Sequence, residues 1–226
     1  MKSKKGMLIL GYNISEPNWE ETVWGTPPHK PGRLPRGIAV MLEENVELVV
    51  LVSSAFSKEG KSTGEWMKER IYQGINGELQ QFTIYPQLSQ INPGRLKRLI
   101  DERLVVVDAP VKNTFEALAA AGSFFRDAGV QSVFLITSPD HISRTLRDAV
   151  IAWEEYPQLT RNLYGTPSVT FYAKRSPEDA EIARMENVVI AEPPVARVFN
   201  LARVFRVLKN PDALAELDRC LKKYNA

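Results

Sequence analysis

The sequence predicts a three-layer α/β/α sandwich of Rossmann-like type with a mainly parallel sheet. Short runs rich in Val, Leu and Ile alternate along the chain with longer segments of helical period, the pattern of strand–helix–strand units. The apolar runs are continuous, as in residues 47–53, and such runs are typical of strands covered by helices on both faces. At 226 residues the chain can bury one large core. We expect residues 1–192 to form this domain and residues 193–226 to form a helical segment packed on the same core.

The first half of the chain supplies three predicted strands. An apolar run predicts a strand over residues 7–12, and a proline-rich loop then leads to a helix over 33–44. The Val-rich run predicts a second strand over 47–53, and residues 61–74 follow with helical period. A short helix over 95–102 precedes a third strand over 104–108.

The second half contains the best-defined unit. The helix predicted over 113–128 carries Leu118 and Phe125 on its apolar face, and it ends before Gly129, a residue type that favours helix C-termini. A strand over 132–137 and a helix over 142–156 follow. Residues 168–173 and 188–191 predict later strands, and Pro194 begins the expected C-terminal helical segment.

The composition favours a soluble globular protein of the cytoplasm. Apolar residues make up 44% of the chain and charged residues 25%, which is typical of a folded core and not of disorder. The formal net charge is only +2, so we expect no nucleic-acid partner. The single cysteine, Cys220, excludes an internal disulfide and fits a reducing compartment. The apolar run 7–10 is too short for a signal peptide, and no segment reaches the ~20 apolar residues of a membrane helix, so we expect no membrane partner.

Polar residues gather after four of the predicted strands. Ligands of open parallel sheets bind beyond the carboxyl ends of the strands, because loops and helix N-termini converge there. We therefore expect a small-molecule ligand at this edge. In chain order the four clusters contain Gly11 and Asn13; Ser53, Ser54, Ser62 and Thr63; Asp108, Asn113, Thr114 and Glu116; and Thr137, Ser138, Asp140, His141 and Arg144.

The fourth cluster combines a histidine and an arginine at the start of one helix. Ser138 is suited to cap that helix, and the proline after it suits the first helical position. His141 then lies in the first turn, where the helix dipole lowers the pKa of an imidazole, and a neutral imidazole could act as a base or a donor. Arg144 follows one turn later and offers a planar fork to phosphate or carboxylate. In the structural alternative, Arg144 pairs with Asp140 or Asp148 and His141 is a solvated turn residue.

The third cluster has a structural explanation of its own. Asn113 and Glu116 have the spacing of a helix capping box, in which the amide accepts from a free backbone N–H and the glutamate reaches back. A capped helix N-terminus beside a sheet edge is also a place where an anion binds. The two roles are compatible.

Residues 55–62 match a different motif, the phosphate-binding loop [AG]-x4-G-K-[ST], between a Val-rich strand and a helix. In this alternative Lys61 and Ser62 bind the phosphates of Mg-ATP, and Asp108 faces the magnesium. Gly60 is the only glycine of the loop, which leaves the backbone less freedom to wrap phosphates. Because no Cys/His metal spacing is present, we expect a site without metal under the other hypotheses.

The third and fourth clusters together resemble the YdcF/SanA/ElyC family of bacterial α/β proteins. The family pattern S-x-N-T-x-E-N, helix, strand, T-S-x-x-H-x-x-R is matched by Asn113-Thr-x-Glu116 and by Thr137-Ser138-x-x-His141-x-x-Arg144. Upstream, the strand ending Leu10-Gly11, the segment Arg33-Leu-x-Arg36-Gly and the strand ending Val52-Ser53 agree in order. The resemblance covers roughly residues 7–150.

The chain departs from the family pattern at several positions. Ser53-Ser54-Ala55 stands where the family has Ser-Gly-Gly, Asp108 where it has glutamate, and Ala117 where it has asparagine. The resemblance implies a Rossmann-like sandwich with a polar cleft. Some members resemble membrane-anchored envelope proteins, whereas the soluble YdcF type, which this chain is more similar to, is associated with S-adenosylmethionine binding. The resemblance implies no defined reaction.

Three hypotheses of function follow. The first is a small-molecule enzyme of unassigned reaction that binds a phosphate- or nucleotide-containing ligand, with His141 as acid or base and with Asp108 and Glu116 orienting a hydroxyl or amine. The second is a non-catalytic protein that binds S-adenosylmethionine or a nucleotide, and the third is a P-loop nucleotide hydrolase. A homo-oligomer is compatible with each. The expected ligand-binding residues are Gly11, Asn13, Arg36, Ser53, Ser54, Asn113, Thr114, Ser138 and Arg144.

Overall fold

The computed structural model describes residues 3–16, 19–55, 57–172 and 182–184. The helices are α1 (Trp19–Val23), α2 (Arg33–Glu43), α3 (Thr63–Gly74), α4 (Pro86–Gln90), α5 (Pro93–Arg103), α6 (Thr114–Asp127), α7 (Pro139–Ala152) and α8 (Pro157–Arg161), with a 3-10 helix at Leu79–Gln81. The strands are β1 (Lys5–Ile9), β2 (Gly25–Thr26), β3 (Lys30–Pro31), β4 (Leu48–Ser54), β5 (Ser57–Lys58), β6 (Lys61–Ser62), β7 (Leu104–Val111), β8 (Ser132–Thr137), β9 (Leu163–Pro167), β10 (Thr170–Tyr172) and β11 (Ile182–Arg184). The predictions for residues 188–191 and 193–226, and for Cys220, lie outside the described residues.

A five-stranded parallel sheet forms the centre of the molecule, in the order β7-β4-β1-β8-β9. Its strands are continuous apolar runs because side chains alternate between two buried faces. In β1, Met7 and Ile9 pack in the core formed with α2 and α3, whereas Leu8 packs in the core formed with α6 and α7. The predicted α/β fold with a mainly parallel sheet and helices on both faces is therefore confirmed.

Helices pack on both faces of the sheet, and a glycine allows two of them, α6 and α7, to come close together. On one side of the sheet, α2 and α3 bury Leu34, Ile38 and Met67 against β1 and β4. On the other side, α6 packs on α7 through Gly122, where an added Cβ would lie 2.3 Å from Nε1 of Trp153. Only glycine allows this approach, and the indole N–H of Trp153 in turn donates to the Leu118 carbonyl at 2.6 Å.

The last strand of the sheet differs from the prediction. The fifth strand is β9, which was not predicted from the sequence, whereas residues 168–173 were expected to form a strand and contain β10. Of those residues, β10 pairs antiparallel with β11 in a separate two-stranded sheet. The sequence of β9, Leu-Tyr-Gly-Thr-Pro, contains glycine and proline and lacks Val and Ile, so its pattern is not that of a buried strand.

Several elements begin or end elsewhere than predicted, and the strand expected over residues 7–12 is β1, Lys5–Ile9. The strand expected to end at Asp108 continues to Val111, because the register against β4 changes between Val52, which pairs with Val107, and Ser54, which pairs with Val111. The helix expected from residue 61 begins at Thr63, and the one expected from residue 142 begins at Pro139. Within the described residues, no helix has the length and apolar character needed to span a membrane.

Candidate functional site

A cavity of about 310 Å³ opens at the carboxyl edge of the sheet, between the ends of β1, β4, β7 and the helices that follow. Its floor is apolar and includes Leu8, Leu10, Val52 and Ala117. Its rim is polar. The rim residues include Gly11, Asn13, Ser54, Asn113, Thr114, His141 and Arg144, all predicted from the sequence.

Four helices start at this cavity. Arg33, Thr63 and Thr114 are the first residues of α2, α3 and α6, and all three line it. His141, in the first turn of α7, lines it as well. Helix N-termini present free backbone N–H groups and the positive end of the helix dipole. The cavity is therefore electrostatically suited to an anion.

Arg33 is buried at the centre of this arrangement, with 2% of its surface exposed. Its guanidinium donates to the Leu10 carbonyl at 3.0 Å, to the Gly11 carbonyl, and twice to the Ser138 hydroxyl at 3.0 and 2.7 Å. These bonds tie the start of α2 to the end of β1 and to the start of α7. Ser138 occupies the predicted N-cap position of α7 but makes no capping hydrogen bond through its side chain, because its hydroxyl accepts from Arg33.

Arg33 is not among the site residues predicted from the sequence. One signal was available: Arg33 is the first residue of its helix, where the helix dipole disfavours a positive charge, so an arginine there indicates a specific role. Arg36, which was singled out, lies one turn further and does not line the cavity. Its guanidinium carbon lies 5.3 Å from the centroid of the Tyr85 ring, and the residue is buried.

The imidazole of His141 lies across the cavity from α6. Its Nε2 is 3.3 Å from Oγ1 of Thr114. Burial lowers the pKa of His141 to about 4, and the positive charges of Arg33 and Arg144 act in the same direction. The direction is the one predicted from the helix dipole, but the causes here are burial first and then the two arginines. His141 is therefore neutral at neutral pH, and it can accept a hydrogen bond or a proton.

Arg144 and Lys112 place two more cations at the rim. The Arg144 side chain is 59% exposed, and its Nε is 3.9 Å from the nearer Asp148 oxygen, a loose ion pair. The other oxygen of Asp148 accepts from Arg147 at 2.9 and 2.7 Å. The pairing of Arg144 with Asp148 is thus present, and it leaves the guanidinium largely in solvent at the cavity mouth.

Asn113 and Glu116 cap α6 as their spacing predicts. The Asn113 Oδ1 accepts from the Glu116 backbone N–H at 3.0 Å. The Glu116 carboxylate accepts from Asn113 Nδ2 at 2.8 Å and from the Lys112 backbone N–H at 2.8 Å. Both carboxylate oxygens are thus engaged in the cap. Asn113 lines the cavity, whereas Glu116 does not.

Three other predicted residues, Asp108, Ser53 and Ser138, also lie outside the cavity lining. Asp108 is exposed, within the part of β7 where the register changes. Ser53 is buried, and its hydroxyl is 3.0 Å from that of Ser62. Its neighbour Ser54 does line the cavity and is 2.6 Å from the Thr63 hydroxyl.

The segment that matches the phosphate-binding loop forms a short antiparallel hairpin, β5 with β6. Lys61 donates to Glu69 Oε2 at 2.7 Å, and its Nζ lies 5.1 Å from the Trp66 ring centroid. Ser62 caps α3 in a capping box with Glu65. Neither Lys61 nor Ser62 lines the cavity.

The described part of the chain contains no group of three or more His, Cys, Asp or Glu side chains that could hold a metal ion. Compared with protein-family models, with curated proteins and with solved structures, the chain gives no match. The described side chains that line the cavity include three cations, Arg33, Lys112 and Arg144, and no carboxylate.

Proposed function

We propose that the protein is a small-molecule enzyme that binds a phosphate-bearing ligand in the cavity at the carboxyl edge of the sheet. One observation carries the proposal: Arg33, Thr63, Thr114 and His141, each from the first turn of a different helix, line the same cavity. Convergent helix N-termini favour phosphate through their N–H groups and dipoles. The cations at the rim add to the same field.

The proposal assigns each part of the ligand to one part of the cavity. The phosphate binds at the mouth, where Arg144 and Lys112 meet the start of α6. The uncharged part packs on the floor formed by Leu8, Leu10 and Val52. A volume of about 310 Å³ is near the lower end of the range for small-molecule sites, roughly 300–1,000 Å³. This size favours a sugar phosphate or a mononucleotide over a dinucleotide.

His141 is the residue best placed for acid–base work. Its neutral imidazole faces the cavity, with Nε2 in contact with the Thr114 hydroxyl. With a pKa of about 4, it is a weak base in the free protein. A phosphate bound nearby would raise this pKa, since a neighbouring anion favours the imidazolium. Ligand binding therefore makes His141 a stronger base at the moment when a base is needed.

Membership of the YdcF/SanA/ElyC family is part of the proposal. Four residues of the pattern that suggested it, Asn113, Thr114, His141 and Arg144, line the cavity, which supports a shared site. The P-loop alternative has no comparable support, because residues 57–62 form a hairpin and Lys61 pairs with Glu69.

A thermal-shift screen tests the proposal directly. The panel contains sugar phosphates, mononucleotides, Mg-ATP and S-adenosylmethionine. A ligand present at 100 times its dissociation constant adds roughly 2.7 kcal/mol of stability. We expect stabilisation by a sugar phosphate or a mononucleotide without magnesium. Stabilisation by S-adenosylmethionine alone would support a non-catalytic binding protein, and no response from any phosphate compound would overturn the proposal.

A further inference from the structure

The order of the strands reverses at β1, and the cavity lies at that point. From β1 the chain passes through β4 to β7 on one side, and it then returns to form β8 and β9 on the other side. In open parallel sheets, ligands bind in the crevice between the loops that leave the two strands at such a reversal. These strands are β1 and β8 here, and Gly11 after β1 and His141 after β8 both line the cavity.

The cavity reaches across the edge of the sheet from one helix layer to the other. Ile9 and Tyr12 line it and pack with the core formed with α2 and α3, whereas Leu10 lines it and packs in the core formed with α6 and α7. The cations proposed to bind the phosphate belong to the second layer, since Lys112 precedes α6 and Arg144 lies in α7. A ligand that binds these cations and fills the cavity therefore extends to Tyr12.

Tyr12 makes this far end of the cavity aromatic. Among the described residues that line the cavity, only Tyr12 carries a phenyl, phenol or indole ring. Its carbonyl accepts from the Trp19 indole at 2.9 Å, and its side chain is half-buried against the core. A tyrosine held in this way loses little conformational entropy when a ligand packs against it.

The Arg33 guanidinium lies near the Tyr12 ring without stacking on it. Its carbon is 5.6 Å from the ring centroid, whereas stacked groups approach to about 3.5–4 Å. The guanidinium is directed to the Leu10 and Gly11 carbonyls and to the Ser138 hydroxyl. Nucleobases bind beside both aromatic rings and arginine side chains, so Tyr12 and Arg33 together suit the base of a nucleotide.

We propose that the ligand is a nucleoside monophosphate whose base makes an aromatic contact with Tyr12 while its phosphate lies at Lys112 and Arg144, an inference that rests on the proposed function. The sugar then lies between them, over the apolar floor. A sugar phosphate uses the cations equally well, but it has no aromatic group for Tyr12. The aromatic end of the cavity therefore favours the mononucleotide over the sugar phosphate.

Calorimetric titration of the wild-type protein with adenosine monophosphate and with ribose 5-phosphate tests the inference, because the two compounds share the phosphate and differ in the base. We expect adenosine monophosphate to bind about fivefold or more tightly than ribose 5-phosphate, which is the lower end of the effect of stacking a base on an aromatic side chain. Equal affinities would overturn this inference and leave the proposed function standing. If neither compound binds, the proposed function fails and the inference fails with it.

Substitutions of Tyr12 test the contact itself through the ratio of the two affinities. Tyr12→Leu removes the ring, so the ratio should fall to about one, whereas Tyr12→Phe keeps the ring and should keep the wild-type ratio. The matched control is Tyr156→Leu, at a half-buried tyrosine that does not line the cavity. A wild-type ratio in Tyr12→Leu would contradict the contact.

A measurement on the wild-type protein decides the question if Tyr12→Leu does not fold. We expect nuclear Overhauser effects between the base protons of bound adenosine monophosphate and the ring protons of a tyrosine, and we expect Tyr12→Phe to abolish this tyrosine signal. Bound adenosine monophosphate without any such effect would overturn the inference.

Discussion

Arg33 and Ser138 are joined by two hydrogen bonds, at 3.0 and 2.7 Å, although 105 positions separate them in the chain. The same guanidinium donates to the carbonyls of Leu10 and Gly11. The start of α2, the end of β1 and the start of α7 therefore share one buried group. Because these three elements form part of the cavity wall, Arg33 fixes the shape of the site as well as contributing charge to it.

We expect Arg33→Met to destabilise the protein by about 2–4 kcal/mol, since it leaves buried carbonyls and a buried hydroxyl without their donor. Urea unfolding measures the free energy. Arg95→Met, at an exposed position in the first turn of α5, is the control and should change stability by less than about 0.5 kcal/mol. Equal stabilities of the two variants would show that Arg33 does not hold the three elements together.

The elements of the centre of the sheet were predictable because their signals are local. The strand predicted over residues 132–137 is β8 with the same bounds, since it is a continuous apolar run. Asn113 was predicted to cap α6 and does so. The strand β9 was missed because its place in the sheet depends on pairing with β8 and not on its own composition.

Seven of the predicted site residues were brought together at one cavity, because the parallel topology places the residues after each strand at one edge. What the sequence could not provide is which of these side chains point into the cavity. Asp108 lies outside the lining because of a register shift, and Glu116 because the cap engages both its oxygens. The role of Arg33 depends on contacts over 105 positions, which no local pattern reports.

The ring of His141 should titrate with a pKa near 4 in the free protein, because burial and the charges of Arg33 and Arg144 disfavour the imidazolium. Two-dimensional NMR of the imidazole between pH 3 and 8 measures this value. Arg144→Ala removes one of the charges and should raise the pKa. A wild-type value close to the ordinary 6.5 of histidine would contradict the geometry.

The same shift makes stability depend on pH. Between about pH 6.5 and 4 the unfolded chain binds a proton at His141 that the folded protein does not, so stability falls as the pH is lowered through this window. After allowance for solvent screening of the half-buried ring, we expect a loss of roughly 1–2 kcal/mol. Urea unfolding at pH 7 and pH 4.5 measures how much unfolding free energy the wild type and His141→Asn each lose as the pH falls. If the wild type loses no more than the variant, His141 is not the cause of the pH dependence.

Gly122→Ala should destabilise the protein, since the added Cβ would lie 2.3 Å from Nε1 and 2.4 Å from Cδ1 of Trp153. Overpacking of this kind costs about 1–3 kcal/mol, against a gain of about 1 kcal/mol in helix propensity. We expect a net loss of about 1 kcal/mol, and at most about 2 kcal/mol, in thermal or urea unfolding. The control is Ser123→Ala on the same helix, whose hydroxyl makes only a long bond of 3.4 Å to Ala119, and it should be neutral. A stabilised Gly122→Ala would show that Trp153 can move aside.

Lys61→Ala separates the cavity from the P-loop alternative. Because Lys61 pairs with Glu69 and does not line the cavity, we expect the variant to keep the thermal shift produced by a sugar phosphate or a mononucleotide. Loss of all nucleotide binding in Lys61→Ala, together with a requirement for magnesium, would move the phosphate site to residues 55–62.

We propose that phosphate binds where Arg144 meets the starts of α6 and α7, and calorimetric titration with adenosine monophosphate at one ionic strength measures this binding. Arg147 is the matched control, since it lies on the same helix with 50% of its side chain exposed and does not line the cavity. We predict that Arg144→Ala weakens binding at least about tenfold, as expected for the loss of a charge-assisted contact, while Arg147→Ala binds as wild type does. No binding to the wild-type protein, or equal affinity in the two variants, would contradict a phosphate site at Arg144.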